Sequence, residues 1–150
     1  MRIHYKGSKK EVRALNAYVK LMRAAESVTT RTYRHLADVG LTISQFGVLE
    51  AIYHLGPLSQ RDIGKKILRS SGNITMVVDN LEKRGLVKRE RGQEDRRFLT
   101  AHLTKDGHKL ISEIFPQHAA VIVEEMNALT ESEQEELGGL CRKLGLREGR

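Results

Sequence analysis

The chain is short of several things, and each shortage excludes something. Cys141 is the only cysteine in 150 residues. No intrachain disulfide can form, and a four-ligand zinc site of the cysteine-rich kind is ruled out. No apolar run approaches the ~20 residues that a membrane-spanning helix needs. The opening stretch MRIHYKGSKKEVRAL has charge but no apolar centre, unlike a secretory signal, so the expected location is cytoplasmic. Apolar residues make up only 39%, which suits long exposed helices better than a thick core. There is no Gly-x-Ser-x-Gly, no phosphate loop and no His-Glu-x-x-His. The six histidines (His4, His35, His54, His102, His108 and His118) never fall at i, i+4. Neither catalysis nor a metal or other cofactor is expected.

Positive charge is plentiful. The net charge is +7 with a pI near 9.7, which favours an anionic partner, nucleic acid before a membrane surface. Its distribution says more. Arg61 to Arg97 holds eleven Lys/Arg against six Asp/Glu, whereas Glu124 to Glu136 holds six Glu and no basic residue. The basic region is therefore the candidate contact surface, and the acidic run reads as a solvated face and a helix start.

Periodicity divides the chain. Val12, Leu15, Val19 and Met22 predict a long helix from about Ser8 to Ala37, ended by Gly40. Thr42 and Gln45 fit a capping box for a helix bearing Phe46, Leu49, Ile52 and Tyr53 and stopped by Gly56-Pro57. Ser59 caps the next helix, whose buried side is Ile63 and Ile67. Leu68-Arg69-Ser70 forms a turn, and Ser70 or Ser71 caps the following helix, from about Gly72 to Arg84. There Ile74, Val77, Val78 and Leu81 fall at i, i+3, i+4, i+7, leaving Met76 on the outward side. Gly85 ends it. Val87–Arg91 and Phe98–Leu103 alternate as two strands around a polar turn, a hairpin. Val87, Arg89 and Arg91 share one face of it. Thr104 caps a helix in which Pro116 predicts a kink rather than a stop, because His118, Val121, Ile122 and Met126 continue the pattern. Thr130 and Glu133 make a second capping box. Leu137, Leu140, Cys141 and Leu144 line the last helix, so Cys141 is expected to be a core thiol rather than a redox sensor.

Helix, turn, helix, then hairpin is the order of a winged helix-turn-helix. Such a module lays its second helix in the major groove with its first residues near base edges. Here these are Ser70, Ser71, Gly72, Asn73, Thr75 and Met76. Serine hydroxyls and helix-end amides suit phosphates. Asn73 suits adenine, and Thr75 or Met76 a thymine methyl. On the hairpin, Arg89, Arg91, Arg96 and Arg97 suit the narrow minor groove, with Asp95 placed to orient Arg97. Ser59, Gln60 and Arg69, before the second helix, complete the DNA-binding set. Against this stands the plainer reading of a helix cap, a solvated helix face and a self-neutralising loop.

Several stretches together resemble the MarR family of transcription regulators. They are Leu41–Phe46 (LTISQF), Gly56–Gln60 (GPLSQ), Val78–Val87 (VDNLEKRGLV), Asp95-Arg96-Arg97 and Leu103–Gly107 (LTKDG). The resemblance covers nearly the whole chain. It implies a mainly α fold with a small β-hairpin wing: a winged helix-turn-helix lobe over 41–103, with helices over 8–37 and 105–146 forming a dimerisation region, all in one domain. It further implies a homodimer on double-stranded DNA, an effector pocket between the dimer helices and the DNA-binding lobe, and a wing motif carried by Asp95 and Arg97. The family often has a basic or polar residue where this chain has Met76. The Ser70–Thr75 stretch is similar to the subgroup that responds to quinones and related aromatics, implying an aromatic or phenolic effector. The expected function is a ligand-relieved repressor on a pseudo-palindromic operator. The competing expectation is a winged-helix module that docks on proteins without specific DNA binding.

Overall fold

A computed structural model describes residues 4–67, 73–92 and 97–147. Arg69, Ser70, Ser71, Gly72, Asp95 and Arg96, and with them the expected Asp95–Arg97 pair, lie outside the described residues. The chain divides into two compact units, residues 33–118 and a second made of 1–32 with 119–150.

Within 33–118 the helices are α2 (Ile43–Leu55), α3 (Gln60–Lys66), α4 (Ile74–Lys83) and the first part of α5 (Lys105–Met126). Three short strands, β1 (Leu58–Ser59), β2 (Val87–Arg91) and β3 (Leu99–Leu103), form an antiparallel sheet in the order β1-β3-β2. The hairpin register pairs Val87 with Leu103, Arg89 with Ala101 and Arg91 with Leu99. β1, which was not expected, adds Leu58 opposite Ala101 and Ser59 opposite Thr100. Two residues are too few to show an alternation, and only the pairing partner reveals the strand.

The core of this unit gathers Phe46, Leu49 and Ile52 of α2, Ile63 of α3, Val78 and Leu81 of α4, Val87 and Ala101 of the sheet, and Ile111 and Ile114 of α5. The expected apolar stripes supply nearly all of it. Val48 and Ala51 are buried as well, so α2 is enclosed on more than one face. Gly85 follows α4 at φ 72°, a left-handed conformation that glycine adopts without steric cost. The chain then passes close to α5: a Cβ on Gly107 would stand 1.9 Å from the Leu86 carbonyl oxygen.

The other unit holds α1 (Lys9–Thr32), the end of α5 and α6 (Glu131–Leu146). Ser8 and Glu11 cap α1 reciprocally, the Ser8 amide donating to Glu11 Oε1 at 2.9 Å and the Glu11 amide to Ser8 Oγ at 3.1 Å. Arg31 pairs with Glu125, its Nε donating to Oε1 at 2.7 Å, which raises the arginine pKa and lowers that of the carboxylate. α1 is shorter than expected. It stops at Thr32, and residues Arg34–Val39 form a 3-10 helix instead. The Thr32 hydroxyl donates back to the Val28 carbonyl at 2.5 Å, a bond that competes with the helix ladder. Both expected capping boxes are present, at Thr42–Gln45 and Thr130–Glu133, and α5 runs through Pro116. Cys141 corrects the expectation of a core thiol. It is exposed, as are Leu140 and Leu144 beside it, because none of the described residues of this unit covers that face of α6. Among the described residues no helix is long and apolar enough to cross a membrane.

Candidate nucleic-acid interface

The interface begins with two caps. Ser59 Oγ accepts the Asp62 amide at 3.1 Å and starts α3, so Gln60 is its first helical residue. Asn73 Oδ1 accepts the Met76 amide at 3.0 Å and starts α4 at Ile74. The cap therefore falls on Asn73, not on Ser70 or Ser71, and the helix begins two residues later than its glycine suggested. A short amide side chain is as good a cap as a serine, and the apolar spacing, which starts at Ile74, could not choose between them. Asn73, Thr75 and Met76 are all exposed, and Met76 shows 57% of its surface with no core to fill.

Gln60 joins this helix start to the wing. Its Nε2 donates to Thr75 Oγ1 at 3.2 Å, and its Oε1 accepts from Arg89 Nη1 at 3.1 Å. Arg89 does more. Its Nη2 lies 2.5 Å from Asp79 Oδ1 and 3.0 Å from Glu82 Oε1, and its backbone amide donates to Glu82 Oε2 at 3.1 Å. The strand register explains the direction. Directly opposed residues share a sheet face, and Arg89 opposes Ala101, which is fully buried. Arg89 thus points inward to α4, its side chain only 19% exposed. The Glu82 hydrogen bond raises the arginine pKa, and the same bond draws Glu82 below the usual carboxylate range.

The remaining wing arginines differ. Arg91 ends β2 and Arg97 precedes β3, both exposed, and the Gly92 amide closes the stem on the Phe98 carbonyl at 2.9 Å. Phe98 is itself half exposed. The structure so brings Gln60, Thr75 and Arg89 together, sets Asn73 and Met76 on the same helix end, and leaves Arg91 and Arg97 on the hairpin. Asp79 and Glu82, which hold Arg89, were not singled out from the sequence. Their spacing on α4 and the inward face of Arg89 were the available signal.

A cavity of about 240 Å³ opens in the same unit, lined by Tyr33 and by Gly47, Glu50 and His54 of α2 with Lys66 and Ile67 at the end of α3. Burial raises the Glu50 pKa, against the pull of His54. Burial, then Glu50, raise that of the Tyr33 phenol. Elsewhere in the unit His118 is almost fully buried against the rings of Phe46 and Tyr33 and meets His35. Sequence spacing gave no sign of that pair, because the contact is tertiary.

A MarR-family model matches residues 41–98. The HTH-type transcriptional regulator MhqR of Bacillus subtilis is 39% identical over 134 residues, covering 89% of this chain and 92% of the relative. Among solved structures, Sco3205 of Streptomyces coelicolor, a MarR-family regulator in complex with DNA, superposes with a TM-score of 0.81 at 22% identity, over 98% of this chain and 93% of that one. BpsR of Bordetella bronchiseptica, whose DNA binding is regulated by 6-hydroxynicotinic acid, gives 0.76 at 24%, over 95% and 96%. These two likenesses are likenesses of fold.

Proposed function

Because the chain belongs to the MarR family of HTH-type transcription regulators, we propose that it works as a homodimer that reads a pseudo-palindromic operator and represses transcription until a small aromatic or phenolic ligand releases it. The observation that carries the DNA-reading part is the helix end at Asn73–Met76, exposed and tied through Gln60 to a basic hairpin. A recognition helix and a wing held by one side chain reach the major groove and the neighbouring minor groove as one body. A protein-docking module has no need of that pairing, and the family speaks for DNA.

Pairing of two chains is favoured by the apolar residues that one chain leaves uncovered. Tyr18 and Met22 on α1, Val123 on α5, and Leu140 and Leu144 on α6 are each at least half exposed. Two recognition helices set roughly 34–36 Å apart would then meet successive major grooves. The Glu50–His54 cavity, with its phenol and its half-buried carboxylate, supports a ring-sized ligand with a hydroxyl group. A ligand that binds the form unable to span both half-sites draws the population away from DNA. The cytoplasm is the compartment where such a regulator works.

The test is a titration of the full-length protein against a DNA fragment from upstream of its own gene, over a range of salt concentrations. Tight binding with a steep salt dependence is expected, and Arg97→Ala should reduce the slope by about 1. Binding that ignores salt, or favours no DNA over any other, would refute the reading.

A further inference from the structure

Met76 is the apolar residue of α4 that the core does not take. Val78 and Leu81 are fully buried, and Ile74 and Val77 pack against the same core. Met76 lies on the other side of the helix with 57% of its surface open. Its neighbours along that side, at i−3, i+3 and i+4, are Asn73, Asp79 and Asn80, all polar, so no apolar cluster on the helix gathers it in. A helical side chain leans back toward the N-terminus and covers the turn before its own Cα. Met76 therefore serves the end of α4 that Asn73 caps, the end that a helix-turn-helix presents to base edges.

Thr75 beside it is held differently. Gln60 Nε2 donates to Thr75 Oγ1 at 3.2 Å, and Gln60 Oε1 accepts from Arg89 Nη1 at 3.1 Å. These bonds draw the Thr75 side chain toward α3 and the wing. A thioether is only a weak acceptor, and its unbranched, polarisable chain adapts to whatever apolar group it meets.

We propose that Met76 selects thymine, through the C5 methyl group, at one position of each half-site. In the major groove that methyl is the apolar mark of a base pair, and the other groups that tell the pairs apart donate or accept hydrogen bonds. An exposed thioether gains little from a donor or an acceptor, but it gains from shedding water against a methyl group. Met76 is thus a specificity-determining residue. The inference rests on the DNA-reading function proposed above and adds a base to it.

The experiment selects bound duplexes from a randomised pool with the wild-type protein and with Met76→Ala, at one salt concentration. The thymine that Met76 reads is the one whose preference Met76→Ala loses. There uracil, which lacks only the methyl group, should weaken wild-type binding about fourfold, the worth of one methyl-sized group taken out of water. Met76→Ala should bind the thymine and uracil duplexes equally. Thr75→Ser, which removes the Thr75 methyl and keeps the hydroxyl, should retain the difference. Met76 is exposed, so thermal unfolding of Met76→Ala should match the wild type. A wild type that binds thymine and uracil alike, a uracil penalty that persists in Met76→Ala, or one that disappears in Thr75→Ser would overturn the inference while DNA reading stands. Absence of salt-sensitive binding to any duplex would remove DNA reading itself and the inference with it.

Discussion

His35 Nε2 and His118 Nδ1 lie 3.0 Å apart, although 83 positions separate them in the chain. One ring must donate and the other accept, so at least one nitrogen of the pair is kept unprotonated. Burial first, and the nearness of His35 second, hold His118 below the ordinary histidine value of 6.5. The unfolded chain takes up a proton near that pH which the folded chain declines. Stability is then full above pH 6.5 and falls as the pH drops below it, with a limiting slope of ~1.4 kcal/mol per pH unit. Urea midpoints between pH 5 and 8 should show this fall for the wild type and a flatter curve for His118→Gln. Parallel curves would contradict it.

The Leu86 carbonyl receives the Thr104 amide at 3.1 Å, and the Thr104 hydroxyl donates to the Gly85 carbonyl at 2.6 Å while accepting the Gly107 amide at 3.0 Å. This joint holds the start of α5 against the turn after α4 only because Gly107 lacks a side chain. Gly107→Ala should push the two apart at a cost of ~1–3 kcal/mol, despite the better helix propensity of alanine. Denaturant unfolding reads the difference, and a stabilised variant would refute the close approach.

Thr42 holds the first turn of α2 from both directions: its hydroxyl accepts the Gln45 amide at 3.0 Å, and the Gln45 side chain accepts the Thr42 amide at 3.1 Å. Thr42→Ala should cost ~1 kcal/mol, and Thr42→Ser much less. Equal losses in thermal unfolding would mean that the methyl group, not the hydroxyl, matters there.

Arg89 and Arg97 should separate in a salt titration. The Arg89 guanidinium is held by Asp79, Glu82 and Gln60, so it neutralises carboxylates rather than phosphates. Arg89→Met should weaken operator binding by loosening the wing, yet change the slope of log affinity against log salt by less than the ~1 unit expected for a phosphate contact. A loss of a full unit would make Arg89 a phosphate ligand.

The exposed thiol of Cys141 reports on pairing. It sits beside Leu140 and Leu144 on the uncovered face of α6. A homodimer that uses this face shields the thiol, so its reaction with a small disulfide reagent should slow as protein concentration rises. Leu140→Lys should abolish that dependence and halve the mass measured by light scattering. A thiol equally reactive at every concentration would place the dimer contact elsewhere.

Much of this was legible where a local pattern sufficed. The capping boxes at Thr42 and Thr130, the stripe Ile74–Leu81 and the alternation of the two hairpin strands each follow from neighbours within one turn or one pleat. The alternation even put Arg89 on the face of Val87, which is the buried one. What it could not supply was the partner across the fold. Asp79 and Glu82 became visible as the Arg89 acceptors only when α4 lay under β2. β1 exists only because β3 lies beside it, and His118 meets a histidine from the far end of the sequence. The end of α1 at Thr32 is of another kind: a hydroxyl able to bond its own helix backbone is a signal that an apolar count does not register. Cys141 failed as a core residue for the plainest reason, since an apolar stripe says what a face wants to meet but not that one chain provides it.

The strand order β1-β3-β2 also bears on solubility. β3 lies between the other two strands, paired along its length with β2 and at Thr100 and Ala101 with β1, so the strand with the most apolar residues is not a margin of the sheet. One margin of the sheet is β1, too short at two residues to template another strand. The other is β2, whose sequence is Val-Lys-Arg-Glu-Arg. Its Lys88 and Glu90 pair with each other at 2.9 Å on the outer face. Charged side chains on a border strand discourage edge-to-edge association. The same residues that make the hairpin basic enough for DNA therefore guard a small exposed sheet against joining its copies into aggregates.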